Sequence, residues 1–351
     1  MSDLVGAVAL DYPPFGRMTR MRILAGYFGS TGDVTADNAW EHVYRCLLWM
    51  NESAGLAHIY DSNHMQPGGV FHGRAVRFTD ALCALWQVDR PGLAKLIDKL
   101  FRGCVVELLR QDADAAASGG ENEDIAAVLE SELTGEIAAE LVAAGMTEVD
   151  AGPLARRIEL KARHFFTIGN KRSNALGEGF EDLVEILLTK VSGIPPHRIK
   201  TRTPVSRMPG FRRAPPRVKG DKAPRTPRPD IAVVEGGVTH VIATAKWSFR
   251  QDRETQLASE YQAFQMNKTQ SAELRYVLVT NEFDLARLRN VLEAIPGGTG
   301  GYVFHNVYHV ALPLLQETHG ARFAPLRPYV QIGKLASLSD FLTNMQARFG
   351  S

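Results

Sequence analysis

The stretch of sequence that decides the fold is RPDIAVVEGGVTHVIATAKWS, residues 228–248. Two runs of β-branched and small apolar residues flank Gly236-Gly237, and such a glycine pair is typical of the tight turn between antiparallel strands. Because side chains alternate along a strand, Thr244 and Lys246 lie on the same face of the second strand. The sequence therefore predicts a β-hairpin that brings Asp230, at the start of the first strand, close to Lys246.

Helices and further strands surround this hairpin in the sequence. One helix is predicted to begin at Gly177-Glu178-Gly179 and to end before Pro195, because its apolar residues recur at helical spacing. We expect an α/β fold in which a mixed central sheet is flanked by helices. The other predicted helices cover 248–268 and 283–295, and the other predicted strands lie at 275–280 and within 301–312.

The composition is that of an ordinary globular protein, with 351 residues of which 45% are hydrophobic and 23% charged. The first residues lack the pattern of a signal peptide, and no run approaches about 18 apolar residues, so we expect a soluble, cytoplasmic protein with no membrane segment. Cys46, Cys83 and Cys104 are too few and too far apart for a disulfide framework or a zinc cluster. We interpret them as buried thiols.

The net charge of +1 hides a strong segregation of charge along the chain. Residues 198–228 contain eleven Lys and Arg and one acid, whereas residues 112–150 contain eleven Asp and Glu and no Lys or Arg. Nine prolines between residues 195 and 229 exclude a regular helix in the basic segment. The acids of 112–150 are better explained by a solvated helix face than by a metal site.

The character of the chain changes near residue 150. Residues 1–150 are predicted to form a mainly helical region, because amphipathic patterns such as AWEHVYRCLLWM follow one another with few strand signals. Residues 151–351 are predicted to hold the α/β core with the hairpin.

The hairpin carries groups suited to hydrolysis of a phosphodiester. Such hydrolysis needs a divalent metal held by carboxylates and is helped by a nearby cation. Pro229-Asp230 followed by a strand ending in Lys246 resembles the signature of the PD-(D/E)xK nuclease superfamily. The sequence departs from that signature at Thr244, where the superfamily usually has Asp or Glu.

The departure makes the resemblance more specific. In the CCGG-recognising type II restriction endonucleases the missing acid is often supplied by a glutamate on the next helix, fourteen residues after the lysine, and Glu260 stands at that offset. The same family has an R-x-D-R signature four residues beyond the lysine, which matches residues 250–253. It also has a metal-site glutamate after an aromatic residue on an upstream helix, which matches Phe180-Glu181. The resemblance covers roughly residues 175–265 and implies that residues 151–351 hold a PD-(D/E)xK restriction-endonuclease-like core.

The resemblance implies how DNA would be read. Arg250, Asp252 and Arg253 would lie at a helix N-terminus, where arginine can bond to guanine and aspartate can accept from cytosine in the major groove. The alternative for these residues is a surface salt-bridge cluster. The basic segment, with Arg212 and Arg213, is predicted to contact DNA phosphates, although a linker with incidental charge remains the alternative.

The implied protein is a type II restriction endonuclease that cleaves double-stranded DNA at a palindromic site with a CCGG core. By the resemblance, Asp230, Glu260 and Glu181 hold Mg²⁺ and Lys246 stabilises charge or orients the attacking water. A palindromic site implies a homodimer, with a tetramer left open. Residues 1–150 would serve dimerisation, recognition of flanking bases or accessory DNA contact.

Three alternatives remain open at the level of sequence. One is a related nuclease for an interrupted CCNGG or CCWGG site. Another is a nuclease that depends on DNA structure or modification. The last is a catalytically inactive DNA-binding protein on a nuclease fold, with Thr244 as the sign of lost activity.

Overall fold

The structure is a computed structural model that describes residues 13–48, 66–97, 99–117, 138–213, 226–248, 251–295 and 302–350. For some segments within these ranges only the backbone is described, and these are chiefly 112–117, 156–173 and 251–255. Much of the acidic stretch and residues 214–225 of the basic segment therefore lie outside the described residues.

The chain divides into two compact units, and each is built from two separate parts of the sequence. The first unit comprises Met1–Arg20 and Phe101–Leu176, and the second comprises Met21–Leu100 and Gly177–Ser351. These are not the continuous segments 1–150 and 151–351 that the sequence predicted as domains. The reason is physical, because helices from the first hundred residues pack on the sheet of the second unit.

The second unit contains a six-stranded mixed sheet with the strands in chain order, which agrees with the predicted fold class. The predicted hairpin is confirmed, since β2 and β3 are antiparallel and Ile231 pairs with Ala243. Gly236 and Gly237 both have positive φ, as a two-residue hairpin turn requires. β1 is antiparallel to β2, and β3 to β6 are parallel neighbours. The strands are β1 (Ile199–Thr201), β2 (Ile231–Glu235), β3 (Val238–Lys246), β4 (Arg275–Thr280), β5 (Asn306–His309) and β6 (Leu335–Ser337).

Helices account for most of the remaining described residues, and among these residues no helix combines the length and apolar character needed to cross a bilayer. The helices are α1 (Arg17–Ser30), α2 (Ala39–Leu47), α3 (Val70–Trp86), α4 (Arg90–Leu96), α5 (Lys99–Ala117), α6 (Glu148–Lys190), α7 (Gln251–Asn267), α8 (Leu285–Glu293), α9 (Leu312–His319), α10 (Arg327–Gln331) and α11 (Leu338–Phe349).

The ring of Tyr276, on β4, is the centre of the aromatic core beneath α7. Phe264 packs edge-on against it with ring centroids 5.5 Å apart, Tyr261 stacks on it at 5.6 Å, and Phe304 stacks at 4.7 Å. Leu257 is also buried. Leu257, Tyr261 and Phe264 therefore lie on the face of α7 that packs on the sheet.

Two helices of the N-terminal part close the sheet at the end where β3 and β4 finish. The hydroxyl of Tyr44, on α2, donates to the side-chain oxygen of Asn281 at 2.8 Å. The Tyr44 ring also contacts Trp247 and Phe78, and Phe78, on α3, packs edge-on against Phe283 at 5.0 Å. This packing is why residues 21–100 belong to the unit that holds the sheet.

One local prediction is corrected by the structure. Gly177-Glu178-Gly179 does not begin a helix but lies inside α6, which starts at Glu148. Gly179 is there for close packing, because a Cβ atom at this position would lie 2.5 Å from Leu100 and 3.1 Å from Leu47. The segment 301–312 holds one described strand, β5, and then leads into α9.

Truncation of the core residue Phe264 tests this packing. Phe264 is 1% exposed, so Phe264→Ala should lower the free energy of unfolding by about 3–5 kcal/mol. The matched control is Met266→Ala on the same helix. Met266 is 75% exposed, so its truncation should change the free energy of unfolding by no more than about 0.5 kcal/mol. Urea unfolding followed by tryptophan fluorescence measures both, and equal effects would contradict the packing.

Candidate active site

Asp230 and Lys246 meet where β2 begins and β3 ends. Asp230 immediately precedes β2, and Lys246 is the last residue of β3. Lys246 Nζ donates to Asp230 Oδ2 at 2.8 Å, and the backbone N–H of Ala245 donates to the same oxygen at 2.9 Å. The sequence prediction that the hairpin brings Asp230 close to Lys246 agrees with this geometry.

Glu181 joins this pair from α6. Its Oε1 lies 3.7 Å from Lys246 Nζ, so the ammonium group lies between two carboxylates. Phe180, the preceding residue, packs edge-on against Trp247, the residue after Lys246, with centroids 5.5 Å apart. This aromatic contact fixes the rotation of α6 against the end of β3 and so directs Glu181 at the lysine.

Arg202, which follows β1, completes the cluster and was not singled out from the sequence. Its Nε donates to Glu181 Oε2 at 2.5 Å, and one of its Nη atoms lies 3.2 Å from Asp182 Oδ1. Its backbone N–H donates to the backbone oxygen of Asp230 at 3.0 Å. The guanidinium thus fixes α6, and the backbone of the same residue fixes the start of β2.

The backbone of Arg202 has a φ of +48°, in the left-handed region that residues other than glycine enter rarely. Such a conformation persists where surrounding contacts over-determine it, and it occurs often at functional sites. In the sequence Arg202 is one of eleven basic residues between 198 and 228, which concealed it. The three-residue strand before it is too short to give a periodic signal.

The pKa values in this cluster follow from its crowding. Burial and the charge of Asp230 raise the pKa of Glu181 to about 7, against the opposing effect of Lys246 and Arg202. Burial disfavours the charged form of Lys246, but Asp230 and Glu181 outweigh it and raise the pKa of the lysine. Lys246 is therefore a permanent cation at neutral pH, suited to stabilising negative charge and unsuited to accepting a proton.

Glu260, on α7, influences the same lysine through its charge. It is half-buried and accepts a hydrogen bond from the side-chain nitrogen of Gln256 at 2.9 Å. Its negative charge contributes to raising the pKa of Lys246 and of Tyr276. Glu260 is therefore within electrostatic reach of Lys246, but among the described residues it does not form a group of three potential metal ligands with Asp230 and Glu181.

Thr244 is buried, and its hydroxyl is 2.9 Å from the hydroxyl of Tyr276. Both hydroxyl groups are therefore satisfied within the core. The position contributes no charge, so a further carboxylate at this end of the sheet must come from another element.

The donors present suit magnesium. Among the described residues, no group of three or more His, Cys, Asp and Glu side chains forms a ready metal site. Mg²⁺, however, is commonly bound through one or two carboxylates, with substrate phosphate and water completing the shell. Asp230 and Glu181 provide two carboxylates, and a divalent ion beside them would oppose the burial and the charge of Asp230 that raise the pKa of Glu181.

The predicted DNA-contacting residues are not all at this end of the sheet. Arg250 lies outside the described residues, and only the backbone of Asp252 and Arg253 is described, on the first turn of α7. Arg212 and Arg213 are exposed, and the N–H of Arg212 donates to the backbone oxygen of Asn267. Since α7 rises about 1.5 Å per residue, these two arginines lie about 20–25 Å from its first turn, at the opposite edge of the sheet from Lys246.

Comparisons with known proteins give a structural likeness. No protein-family model matches the sequence, and no curated protein matches it. Among solved structures, the chain is similar to a restriction endonuclease PspGI–substrate DNA complex, at 11% identity over 89% of this chain and 92% of that chain. The TM-score of 0.35 is too low for this likeness to decide either fold or function.

Loss of the central cation tests the electrostatics of the cluster. In Lys246→Met, the carboxylates of Glu181 and Asp230 lose the charge between them, so ionisation of Glu181 becomes still less favourable and its pKa rises further. The variant should lose on the order of 1–2 kcal/mol of unfolding free energy at about pH 8. It should lose clearly less at about pH 5, where Glu181 is protonated in the folded protein.

Urea unfolding at the two pH values measures this difference. Lys95→Met, at an exposed position of α4, is the matched control and should behave like the unmodified protein at both pH values. An equal loss at both pH values for Lys246→Met would contradict the coupling between the lysine and the carboxylates.

Proposed function

We propose that the protein is a Mg²⁺-dependent DNA endonuclease of the restriction-enzyme type. The observation that carries the proposal is the convergence of Glu181, Asp230 and Lys246, which come from three separate elements, on one point. Two carboxylates beside a permanent cation form a set suited to hydrolysis of a phosphodiester.

Asp230 and Glu181 would hold the magnesium ion. Magnesium, when bound, polarises the phosphate and lowers the pKa of a coordinated water. Lys246, kept protonated by its neighbours, would lie beside the reacting phosphate and stabilise the negative charge that develops on its oxygens. Arg202 would keep one oxygen of Glu181 in place, which leaves the other oxygen directed at the lysine. In this role Arg202 is a positioning residue.

Glu260 would supply the carboxylate that Thr244 does not. Support comes from its position on the α7 face that acts on Lys246 and from its offset of fourteen residues after the lysine. Thr244 itself would then serve only to pack against Tyr276.

Specificity for a palindromic CCGG core is proposed from the R-x-D-R signature at residues 250–253. Arg250 and Arg253 would bond to guanine and Asp252 to cytosine, each good contact contributing about 1–3 kcal/mol of discrimination. Two copies of the chain, related by two-fold symmetry, would read the two halves of the site. A related enzyme for a CCNGG or CCWGG site is the alternative for specificity.

A second candidate function is DNA binding without cleavage. The observation in its favour is Thr244, whose buried hydroxyl is paired with Tyr276 where the superfamily usually has a ligand. The two functions can be distinguished by experiment, because a protein that only binds DNA shows no magnesium-dependent cleavage.

Digestion of plasmid DNA tests the proposal. The purified protein with Mg²⁺ should give fragments whose sequenced ends share one CCGG-centred site. Asp230→Asn should slow cleavage by roughly 10²-fold or more, because a metal ligand is lost. Glu273→Gln, an exposed acid before β4 at the opposite sheet edge, is the matched control and should cleave normally.

Glu260→Ala separates the two candidate functions. A nuclease that uses Glu260 should lose cleavage and keep specific binding to the same DNA. Intact plasmid with the unmodified protein, together with specific binding, would favour the second candidate. Random fragment ends would contradict a restriction enzyme.

Binding of magnesium should depend on pH through Glu181. Because its pKa is about 7 in the folded protein, Glu181 must lose a proton before it can hold the metal. The affinity for Mg²⁺, measured by calorimetry without DNA, should therefore rise from about pH 6 to about pH 8. Glu181→Gln should bind more weakly and lose most of this dependence, and the same pH dependence in that variant would contradict the role of Glu181.

A further inference from the structure

Three arginines cluster away from the carboxylates described above. Arg74 and Arg77 lie on α3, and Arg322 lies on the short helical segment Gly320–Leu326. Burial and the charges of Arg322 and Arg77 lower the pKa of Arg74, so the guanidinium of Arg74 lies within electrostatic reach of the other two. The charge of Asp284 raises the pKa of Arg74. This carboxylate also accepts hydrogen bonds from the backbone N–H groups in the first turn of α8.

The cluster contains polar atoms whose hydrogen bonds are not satisfied. Among the residues that the structure describes, Arg74 Nε and the hydroxyl of Thr318 are buried without a hydrogen-bond partner. Arg77 Nε donates to the backbone oxygen of Thr318 at 3.1 Å, so α3 and α9 meet beside these arginines. Buried donors and neighbouring like charges are both unfavourable unless an anion completes the site. His319 does not take the place of such an anion. Its Nε2 donates to the backbone oxygen of Phe283, and Nδ1 carries only an uncharged lone pair.

The cluster lies at the same edge of the sheet as Lys246. Trp247, next to Lys246, contacts the ring of Tyr44, and Tyr44 contacts Phe78, which follows Arg77 in α3. Along the sheet, Lys246 pairs with Thr280 at the end of β4, and the chain reaches Asp284 four residues later. The carboxylate site and the arginine cluster are therefore joined by one continuous packed layer.

We infer that Arg74, Arg77 and Arg322 form a binding site for a phosphate of the duplex DNA backbone, beyond the phosphate that reacts. The inference rests on the proposed function, because it takes the substrate to be a duplex that continues past Lys246 along this edge. Guanidinium groups bond well to phosphate oxygens, and a phosphate can reach all three side chains, because Arg77 and Arg322 are exposed and Arg74 is partly exposed. This site adds affinity without reading sequence.

The test compares binding of duplex DNA, without metal, by the unmodified protein and by Arg74→Gln/Arg77→Gln/Arg322→Gln. The variant should bind on the order of tenfold or more weakly, and the slope of log affinity against log salt should fall by about one for each phosphate that the protein no longer neutralises. The variant with lysine at all three positions should retain most of the salt dependence. The matched control is Arg275→Gln/Arg289→Gln/Arg348→Gln, which removes the same charge elsewhere in the unit and should change the slope less.

The variant should fold normally, because removal of like charges relieves repulsion, and a thermal unfolding curve checks this. If the unmodified protein binds duplex DNA and the variant binds with the same affinity and salt slope, the inference is wrong and the proposed nuclease stands. If the glutamine and control variants lose the same slope, the effect is one of net charge and the inference is also wrong. If the unmodified protein neither binds nor cleaves duplex DNA, the proposed function fails, and the inference fails with it.

Discussion

The contact between Lys246 and Asp230 at 2.8 Å is the interaction on which the site depends. It joins the end of β3 to the start of β2, and it places a protonated ammonium group where Glu181 can reach it from α6. A partly buried carboxylate pair of this kind is unstable without a cation between its members. The hairpin, the rotation of α6 and the unusual backbone of Arg202 all serve to hold these charges together.

Local sequence signals predicted much of the fold that positions the site. The glycine pair at 236–237 predicted the hairpin, and the hairpin brings Asp230 close to Lys246 as expected. The predicted helix over 248–268 is found as α7, which packs on the sheet through Phe264. Resemblance to a family, rather than periodicity, drew attention to Glu181, and the structure places it beside Lys246.

Features that depend on distant parts of the chain could not be predicted in this way. Tyr44 and Asn281 are 237 residues apart, and no local pattern indicates that α2 closes the end of the sheet. For this reason the two compact units are not divided at residue 150, where the sequence predicted a boundary. Arg202 was hidden among other basic residues, since its role depends on a backbone conformation and not on its charge. The separation of Arg212 from Lys246 likewise follows from the direction of α7.

The central claim is that Asp230 and Lys246 belong to one hydrolytic site. A double-mutant cycle measures this directly, with single-turnover rates of plasmid cleavage for Asp230→Asn, Lys246→Met and the double variant. If the two side chains act together, the double variant should be no slower than the slower single variant. The claim would be contradicted if the loss of rate in the double variant equalled the product of the two single losses. Full activity in either single variant would also contradict it.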